Sequence, residues 1–425
     1  MKKLFTLLLL GILLWGTPAL AETRSAVIVG AERMELLLPT LKGKRVALMV
    51  NQSSLVGNTG THLVDTLLSQ GINIVRLFVP EHGLRGKVDA GKSVQSGMDE
   101  KTGLPIVSLY GQRKRPTPEM LSDIDLLVFD LQDVGTRFYT YISSMHYLME
   151  ACAEEGKTFV VCDRPNPNDF IDGPILEADC RSFVGVDPLP VLHGMTVGEL
   201  ALMIDGEGWL RGGRTCHVKV IPMAGWSHGD PYTLPVRPSP NLPNSRAIEL
   251  YPSLCFFEAT IMSVGRGTAK PFQAIGYPDE RFGDAVYTPA VKIGEDSNPR
   301  HKGKRCYGTD YTSASLPQRQ LTLAPLIDYY RKADSLGMQL INQRQLFDLL
   351  AGTKRLREQL SAGLSEAKIR ASWQAGLKAF QAKRARYLLY TDYRSLFPSQ
   401  KSPILHEGRS SCDARSRSLS LAHDR

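Results

Sequence analysis

Short apolar runs alternate with amphipathic segments through the first half of the chain. The runs with strand character lie at residues 44–51, 72–79, 105–109, 125–131, 158–163 and 217–222. Apolar residues three and four positions apart predict helices between some of these runs, at residues 59–70, 141–155 and 196–207. This alternation favours a parallel sheet with helices on both faces, as does a strand as apolar as DLLVFDL (125–131). The predicted fold class is α/β, with a mostly parallel sheet.

The pattern changes after about residue 230. The prolines from 230 to 252 predict an ordered loop or connector, because proline fixes the backbone without donating a hydrogen bond. From about Glu249 the pattern predicts a smaller α+β domain, which ends in helices near residues 321–334, 344–350 and 365–383. Residues 392–425 are rich in Ser and Arg without apolar periodicity, and we interpret them as a disordered or aberrant tail.

The first 21 residues have the pattern of a Sec-type signal peptide. Lys2 and Lys3 precede an apolar stretch at residues 4–15, and Ala19-Leu20-Ala21 is a small-x-small cleavage site. The stretch is short for a membrane span, although a retained N-terminal anchor is the alternative. We therefore expect an exported, periplasmic protein with no stable membrane insertion. The predicted organisation is a signal peptide at 1–21, an α/β domain at 22–245, a smaller C-terminal domain at 246–391 and the tail at 392–425.

Composition and charge narrow the range of functions. Apolar residues make up 43% of the chain and charged residues 22%, as in ordinary globular proteins. Cleavage after residue 21 lowers the formal net charge from +8 to +6, a mild surplus that suits an acidic small substrate or the anionic cell envelope. No basic run is interleaved with aromatic residues, so no nucleic-acid partner is expected. The seven cysteines form no CxxC pair and the histidines are scattered, so we expect neither a metal nor a cofactor.

The most informative stretch follows the second predicted strand, which Pro80 ends. Glu81, His82 and Arg85 lie directly after it on a loop that contains Gly83. Ligands of α/β proteins bind at the carboxyl ends of the strands, so a carboxylate, an imidazole and a guanidinium at this point indicate a functional site. The alternative is a surface turn that happens to be charged.

Polar side chains also follow the fourth and fifth predicted strands. They are Asp133, Arg137 and Tyr139 after the fourth, and Asp163, Arg164 and Asn166 after the fifth. Because the carboxyl ends of parallel strands share one edge of the sheet, we expect the three loops to form one composite pocket. The structural alternatives are that Asp133 caps the next helix and pairs with Arg137, and that residues 163–167 form a salt-bridged turn.

Three candidates lie further along the chain. His193 comes just before a predicted helix, where it either lines the pocket or caps the helix. Glu258 follows two phenylalanines, and Arg266 lies between two glycines. Each of these two is either part of the pocket or an ordinary salt-bridge partner.

Other motifs exclude reaction classes. Residues 86–93 (GKVDAGKS) fit the phosphate-binding P-loop pattern letter for letter, but Gly97, Gly103 and Pro105 prevent the helix that such a loop needs. The chain contains neither a G-x-S-x-G nucleophile elbow nor an HExxH zinc motif. An ATPase, a serine esterase and a zinc protease are therefore all disfavoured.

Six motifs in order resemble those of the exo-β-N-acetylmuramidases, a glycoside hydrolase family long known only as a domain of unknown function. The motifs are PEHGLRG (80–86), TGLPIVSLYG (102–111), DLLVFDLQDVGTRFYTYI (125–142), DRPNP (163–167), LHGMTVGELA (192–201) and FFEAT, SVGRGT and PF within 256–272. The resemblance covers roughly residues 24–390. Two departures are the extra C-terminal tail and Ala259, where the family usually has Gly.

The resemblance implies a Rossmann-like catalytic domain at 22–245, a smaller domain at 246–391 and a cleft between them. It also implies release of N-acetylmuramic acid from the non-reducing end of peptidoglycan fragments, a step of cell-wall recycling. The expected partners are peptidoglycan-derived disaccharides or muropeptides. The expected catalytic residues are Glu81, Asp133 and Glu258, and the expected substrate-binding residues are His82, Arg85, Arg137, Tyr139, Asp163, Arg164, Asn166, His193 and Arg266.

Chemistry agrees with this interpretation and leaves one role open. Glycoside cleavage needs an acid to protonate the leaving oxygen, for which Glu81 is the candidate, and a second group that activates water or attacks the sugar. That second group is Asp133, Asp163, Glu258 or the acetamido group of the substrate. A periplasmic protein that binds muropeptides without cutting them is the alternative function, since two domains around a cleft also suit hinge closure.

Overall fold

A computed structural model describes residues 26–57, 60–84, 96–314, 316 and 319–392. The predicted signal peptide, Arg85, the motif at 86–93 and nearly all of the predicted tail therefore lie outside the described residues.

The described helices and strands follow the predicted alternation closely. The helices are α1 (Met34–Leu41), α2 (Leu63–Ser69), α3 (Tyr141–Glu154), α4 (Val197–Gly206), α5 (Ser245–Leu254), α6 (Ala324–Ser335), α7 (Arg344–Ala351), α8 (Arg355–Ser361) and α9 (Glu366–Arg384). The strands are β1 (Arg45–Val50), β2 (Leu55–Val56), β3 (Thr61–His62), β4 (Asn73–Val79), β5 (Gly97–Met98), β6 (Pro105–Ser108), β7 (Leu126–Asp130), β8 (Thr158–Cys162), β9 (Ile171–Ile175), β10 (Pro190–His193), β11 (Val218–Ile221), β12 (Ala274–Tyr277), β13 (Ala285–Tyr287) and β14 (Cys306–Asp310).

The central sheet confirms the α/β prediction. Its strand order is β11-β8-β7-β1-β4-β6-β5, and every neighbouring pair is parallel except β5 with β6. In β1, Val46 and Leu48 pack with α1 and α2 on one face, while Ala47 and Met49 pack in the core that contains α3 and α4 on the other. Side chains alternate between the faces of a strand, so a continuous apolar run is what burial on both faces requires.

The second half of the chain adds smaller antiparallel sheets and helices. Strands β12, β14 and β13 form one such sheet, and β9 pairs with β10 in another. The predicted helices at 321–334, 344–350 and 365–383 are present as α6, α7 and α9. Among the described helices, none is both long and apolar enough to cross a membrane.

The proline-rich stretch was expected to be an ordered loop or connector throughout. Its last part is instead helical, because α5 begins at Ser245 and contains Pro252. Asn244 caps the helix by accepting a hydrogen bond from the Ala247 N–H. Pro252 has no N–H for the carbonyl of Ile248, four residues earlier. The side-chain amide of Asn168 supplies that donor at 3.0 Å, and it also donates to the carbonyl of Val134 at 2.8 Å. A distant side chain thus allows a helix to continue through a proline, which sequence reasoning did not foresee.

A buried histidine on α3 makes stability depend on pH. His146 is 4% exposed and lies 2.9 Å from Asp187 and 3.2 Å from Glu150. Burial alone would lower its pKa, but the two carboxylates raise the pKa to about 9. The charged histidine therefore stabilises the fold below its unfolded pKa of about 6.5, and this contribution is lost as the pH rises through about 9.

We expect the free energy of unfolding to fall between pH 6.5 and pH 9, by on the order of 2 kcal/mol from His146. Urea unfolding at several pH values would measure this fall. A His146→Gln variant should show a smaller fall, while His217→Gln, which changes an exposed histidine, should retain the wild-type slope. Identical slopes for wild type and His146→Gln would contradict the assignment.

Candidate active site

A cavity of about 280 Å³ lies beside the carboxyl ends of the parallel strands. Residues that follow β4, β6 and β7 form one side, and the Pro-rich segment, α5 with the residues after it, and α7 form the other. The described lining residues are Glu81, His82, Tyr110, Phe138, Tyr139, Thr140, Tyr141, Val184, Ser239, Asn241, Leu242, Tyr251, Cys255, Glu258, Arg266, Phe272, Leu346 and Leu350.

Glu81 is held at the cavity by a tight turn after β4. The Gly83 N–H donates to the Pro80 carbonyl at 3.1 Å, and His82 has a φ of +72°. A positive φ is usual for the third residue of a type II turn but uncommon for a residue other than glycine. The ring of His82 is buried and its Nε2 lies 3.1 Å from the Ser239 hydroxyl, which fixes the strained residue. The turn therefore holds Glu81, which is half-buried, at the cavity.

Tyr110 is the neighbour of Glu81 across the sheet edge. Its hydroxyl is hydrogen-bonded to Glu81, and its pKa is raised, first by burial and then by the negative charge of that carboxylate. Because the raised pKa keeps Tyr110 neutral, its hydroxyl donates a hydrogen bond to the carboxylate and orients it. Glu81 thus faces a polar partner at the cavity rather than bulk water.

Glu258 is the second carboxylate among the described lining residues. Its Oε1 lies 2.6 Å from Nη1 of Arg266, and Cys255 Sγ donates to its Oε2 at 3.6 Å. Nε of Arg266 in turn lies 2.9 Å from Asp296. Burial opposes a charged Arg266, but Glu258 and Asp296 outweigh it and raise the arginine pKa. The cavity therefore contains two acids, Glu81 beside the Tyr110 hydroxyl and Glu258, whose charge is matched by a fixed guanidinium.

Tyr139 and Tyr141 form a wall of the cavity. Both hydroxyls donate to the Pro238 carbonyl, at 2.8 and 3.2 Å, and Asn51 donates to the Tyr141 hydroxyl at 2.9 Å. The rings meet edge to face with centroids 4.7 Å apart. Burial raises the pKa of both phenols, so they remain neutral donors. They tie the Pro-rich segment to the end of β7.

Arg137, expected to bind substrate, instead supports the cavity from behind. It is 1% exposed, and it donates to the carbonyls of Pro174, Leu189 and Leu350 at 2.8 to 2.9 Å. The pair with Asp133, which was the structural alternative, is not formed. Burial lowers the pKa of Arg137 to about 9. Its two terminal nitrogens are occupied by backbone acceptors, and the side chain does not line the described cavity.

Arg164 and Asn166 likewise bond to other groups of the protein and do not line the cavity. Arg164 forms a two-point ion pair with Asp130, with Nε–Oδ1 at 2.6 Å and Nη2–Oδ2 at 3.0 Å. Asn166 donates to the Met195 carbonyl at 3.0 Å. The loop after β8 is therefore closer to the salt-bridged turn that was the structural alternative.

Asp163, Asp133 and His193 are buried behind the lining. Asp163 accepts hydrogen bonds from Thr196, Gly198 and Tyr390, and burial raises its pKa to about 6. Asp133 accepts from the Gly135 N–H at 2.6 Å and lies 3.6 Å from Nε2 of His193. It caps a turn rather than α3, which begins at Tyr141.

Sequence reasoning missed several residues of the lining, of which Tyr110 is the most important. Tyr110 follows β6 just as Glu81 follows β4, so the strand-end rule applied to Glu81 would also have found it. Ser239 and Asn241 lie in the Pro-rich segment, which was interpreted only as a connector. Within the described residues, no group of three or more His, Cys, Asp or Glu side chains is arranged to hold a metal ion.

Comparison with known proteins gives two family models that together match most of the described chain. The model described as exo-beta-N-acetylmuramidase NamZ, N-terminal, matches residues 46–246, and its C-terminal counterpart matches residues 249–390. Peptidoglycan beta-N-acetylmuramidase NamZ of Bacillus subtilis (strain 168) is 40% identical over 384 residues, which cover 84% of this chain and 90% of that protein.

Two crystal structures from Bacteroides fragilis NCTC 9343 have a similar fold. The DUF1343 family protein BF0379 matches with a TM-score of 0.78 and 42% identity, over 87% of this chain and all of that one. The DUF1343 family protein BF0371 matches with a TM-score of 0.71 and 31% identity, over 86% of this chain and 99% of that one.

Proposed function

Because this chain belongs to the exo-beta-N-acetylmuramidase NamZ family, we propose that its cavity cuts N-acetylmuramic acid from the non-reducing end of peptidoglycan fragments. The family match confirms the resemblance found in the six motifs, and with it a glycosidase. The observation that supports this site for the reaction is a small cavity lined by Glu81 and Glu258. At about 280 Å³ it lies just below the usual range of small-molecule pockets, about 300–1,000 Å³, and suits one sugar rather than a glycan chain.

Glu81 is the general acid of the proposed mechanism. Its proton passes to the glycosidic oxygen as the bond from that oxygen to the anomeric carbon breaks, and positive charge develops on the sugar. A water molecule then forms the new bond to the anomeric carbon and gives up a proton, so that free N-acetylmuramic acid is released and Glu81 regains its proton. Tyr110 orients the carboxyl group. Glu258 is the second carboxylate, held by Arg266, and its negative charge stabilises the developing positive charge.

Arg266 recognises the lactyl carboxylate that distinguishes N-acetylmuramic acid from N-acetylglucosamine. Of the four arginines considered from the sequence, Arg137 and Arg164 do not line the cavity and Arg85 lies outside the described residues. Arg266 is the arginine in the described lining, and its Nη1 and Nε are fixed by Glu258 and Asp296. A guanidinium fixed in this way forms charge-assisted hydrogen bonds to a carboxylate without further loss of side-chain freedom.

The proposal is tested with two chromogenic substrates, a β-N-acetylmuramide and the matching β-N-acetylglucosaminide. Wild-type protein should hydrolyse the first and prefer it strongly, whereas a protein that only binds muropeptides would release no chromophore. In Arg266→Met the ratio of the two kcat/KM values should fall by about tenfold or more, because a hydrogen bond to a charged group contributes about 1.5–3 kcal/mol.

Arg281→Met, which removes an exposed arginine, is the control and should keep the wild-type ratio. If Arg266→Met lowered kcat/KM equally on both substrates, Arg266 would not bind the lactyl group. Its role would then be limited to holding Glu258.

We also propose that the protein acts in the periplasm after export. The basic and then apolar pattern of residues 1–21 supports this location, as does a substrate that belongs to the cell wall.

A further inference from the structure

A second, larger hollow of about 750 Å³ adjoins the cavity and shares Glu258 and Arg266 with it. Residues 296–304 form most of its lining, and Met262, Ser263 and Val264 form the rest. The Glu258–Arg266 ion pair thus lines both hollows, and Glu81 lines only the smaller one. We call the larger one the basic groove.

The basic groove carries positive charge that the protein does not neutralise. Arg300, Lys302 and Lys304 line it, and within the described part of the chain none of the three lies within ion-pair distance of a carboxylate. The carboxylates in the lining, Glu258 and Asp296, are both already paired with Arg266. An anion that enters the groove therefore meets cations without an internal competitor.

The loop that presents these cations is held in place by hydrogen bonds. His301 has a φ of +59°, and its Nε2 contacts the Ile261 carbonyl at 2.6 Å. The Gly303 N–H donates to the Pro289 carbonyl at 2.8 Å, and Arg300 donates to the Glu258 carbonyl at 3.3 Å. Arg300 is thus joined directly to a residue that lines both the groove and the cavity.

We propose that the basic groove is a second substrate subsite, which binds a carboxylate carried by the part of the substrate outside the cavity. The inference rests on the proposed function, which places the terminal sugar in the small cavity. The rest of the glycan then extends along the basic groove. That carboxylate belongs either to the next N-acetylmuramic acid of the glycan or to a peptide attached to a lactyl group. Both sources offer the same chemistry to Lys302 and Lys304.

The test uses Lys302→Gln/Lys304→Gln, in which two exposed lysines are changed. The matched control is Lys368→Gln/Lys378→Gln on α9, which alters the net charge equally at exposed positions outside the groove lining. One arm compares a peptide-free tetrasaccharide with the corresponding disaccharide, and the other compares the tetrasaccharide with and without a peptide on its second N-acetylmuramic acid. In each arm the ratio of the two kcat/KM values is measured.

The groove variant should lower the ratio by about fivefold in one arm, since exposed charge pairs contribute modestly, and the effect should shrink at high ionic strength. A fall in the first arm identifies the next sugar as the source of the carboxylate, and a fall in the second identifies the peptide. Ratios equal to those of the control variant in both arms would overturn the proposal.

A binding measurement separates failure of the groove from failure of the proposed function. Calorimetry with the tetrasaccharide, and with the tetrasaccharide that carries a peptide on its second N-acetylmuramic acid, uses Glu81→Gln with and without the two lysine changes, so it needs no turnover. Weaker binding of either ligand after loss of the lysines supports the groove even if wild-type protein cleaves neither substrate, a result that would remove only the glycosidase mechanism. Equal binding of both ligands with and without the lysines would overturn the groove.

Discussion

Replacing Glu81 by Gln should lower kcat on a disaccharide substrate by at least about 100-fold, because general acid catalysis contributes about 10²–10⁴-fold. Gln keeps the size of the side chain but has no proton to give to the leaving oxygen. The loss should be smaller on a nitrophenyl glycoside, whose leaving group departs without full protonation. Turnover of both substrates and the thermal unfolding midpoint would be measured together.

The control for this variant is Glu119→Gln, which changes an exposed carboxylate outside the cavity lining and should leave both rates unchanged. An equal loss on both substrates would assign Glu81 a role other than acid. Wild-type turnover of the disaccharide in Glu81→Gln would exclude it from catalysis altogether.

Replacing Arg164 by Met should destabilise the protein by about 3–5 kcal/mol, because it leaves a buried charge without its partner. Asp130 at the end of β7 is 0% exposed, and Arg164 meets both of its oxygens. The expected loss of stability therefore comes from leaving the buried Asp130 carboxylate without a partner, and not from the net contribution of the ion pair to stability. Urea unfolding followed by circular dichroism would measure it.

The double variant Asp130→Leu/Arg164→Met should recover part of the lost stability, since it removes the unpaired charge. Arg281→Met breaks a two-point pair with Asp279 in which the arginine is 58% exposed, and it should leave the unfolding midpoint unchanged. Equal destabilisation by Arg164→Met and Arg281→Met would show that burial of the pair does not matter.

The sheet could be predicted because its strands are buried on both faces. Each predicted run at 44–51, 72–79 and 125–131 contains its observed strand, since an apolar run bounded by polar residues leaves little choice of position. The same logic brought Glu81 and Tyr139 to one cavity, because parallel strands end at a common edge. Their catalytic and binding roles remain predictions.

Interactions between distant segments could not be predicted in this way. Arg137 follows β7, as a substrate-binding residue would, but its acceptors are the carbonyls of Pro174, Leu189 and Leu350. A sequence does not show which carbonyl groups the fold leaves without a partner. Tyr110 is a different case. The rule that ligands bind at the carboxyl ends of parallel strands was sufficient to find it, but the rule was not applied to β6.

The amide of Asn168 joins three parts of the chain at one point. It binds the carbonyl after β7 and the carbonyl that Pro252 leaves free in α5, next to Tyr251 of the cavity wall. Asn168 lies in the N-terminal family segment and Pro252 in the C-terminal one, so a change in one segment affects the other. Consider a chimera that takes residues 46–246 from one relative and 249–390 from another. Its α5 continues through the proline with every carbonyl paired only if the first relative has the asparagine wherever the second has the proline.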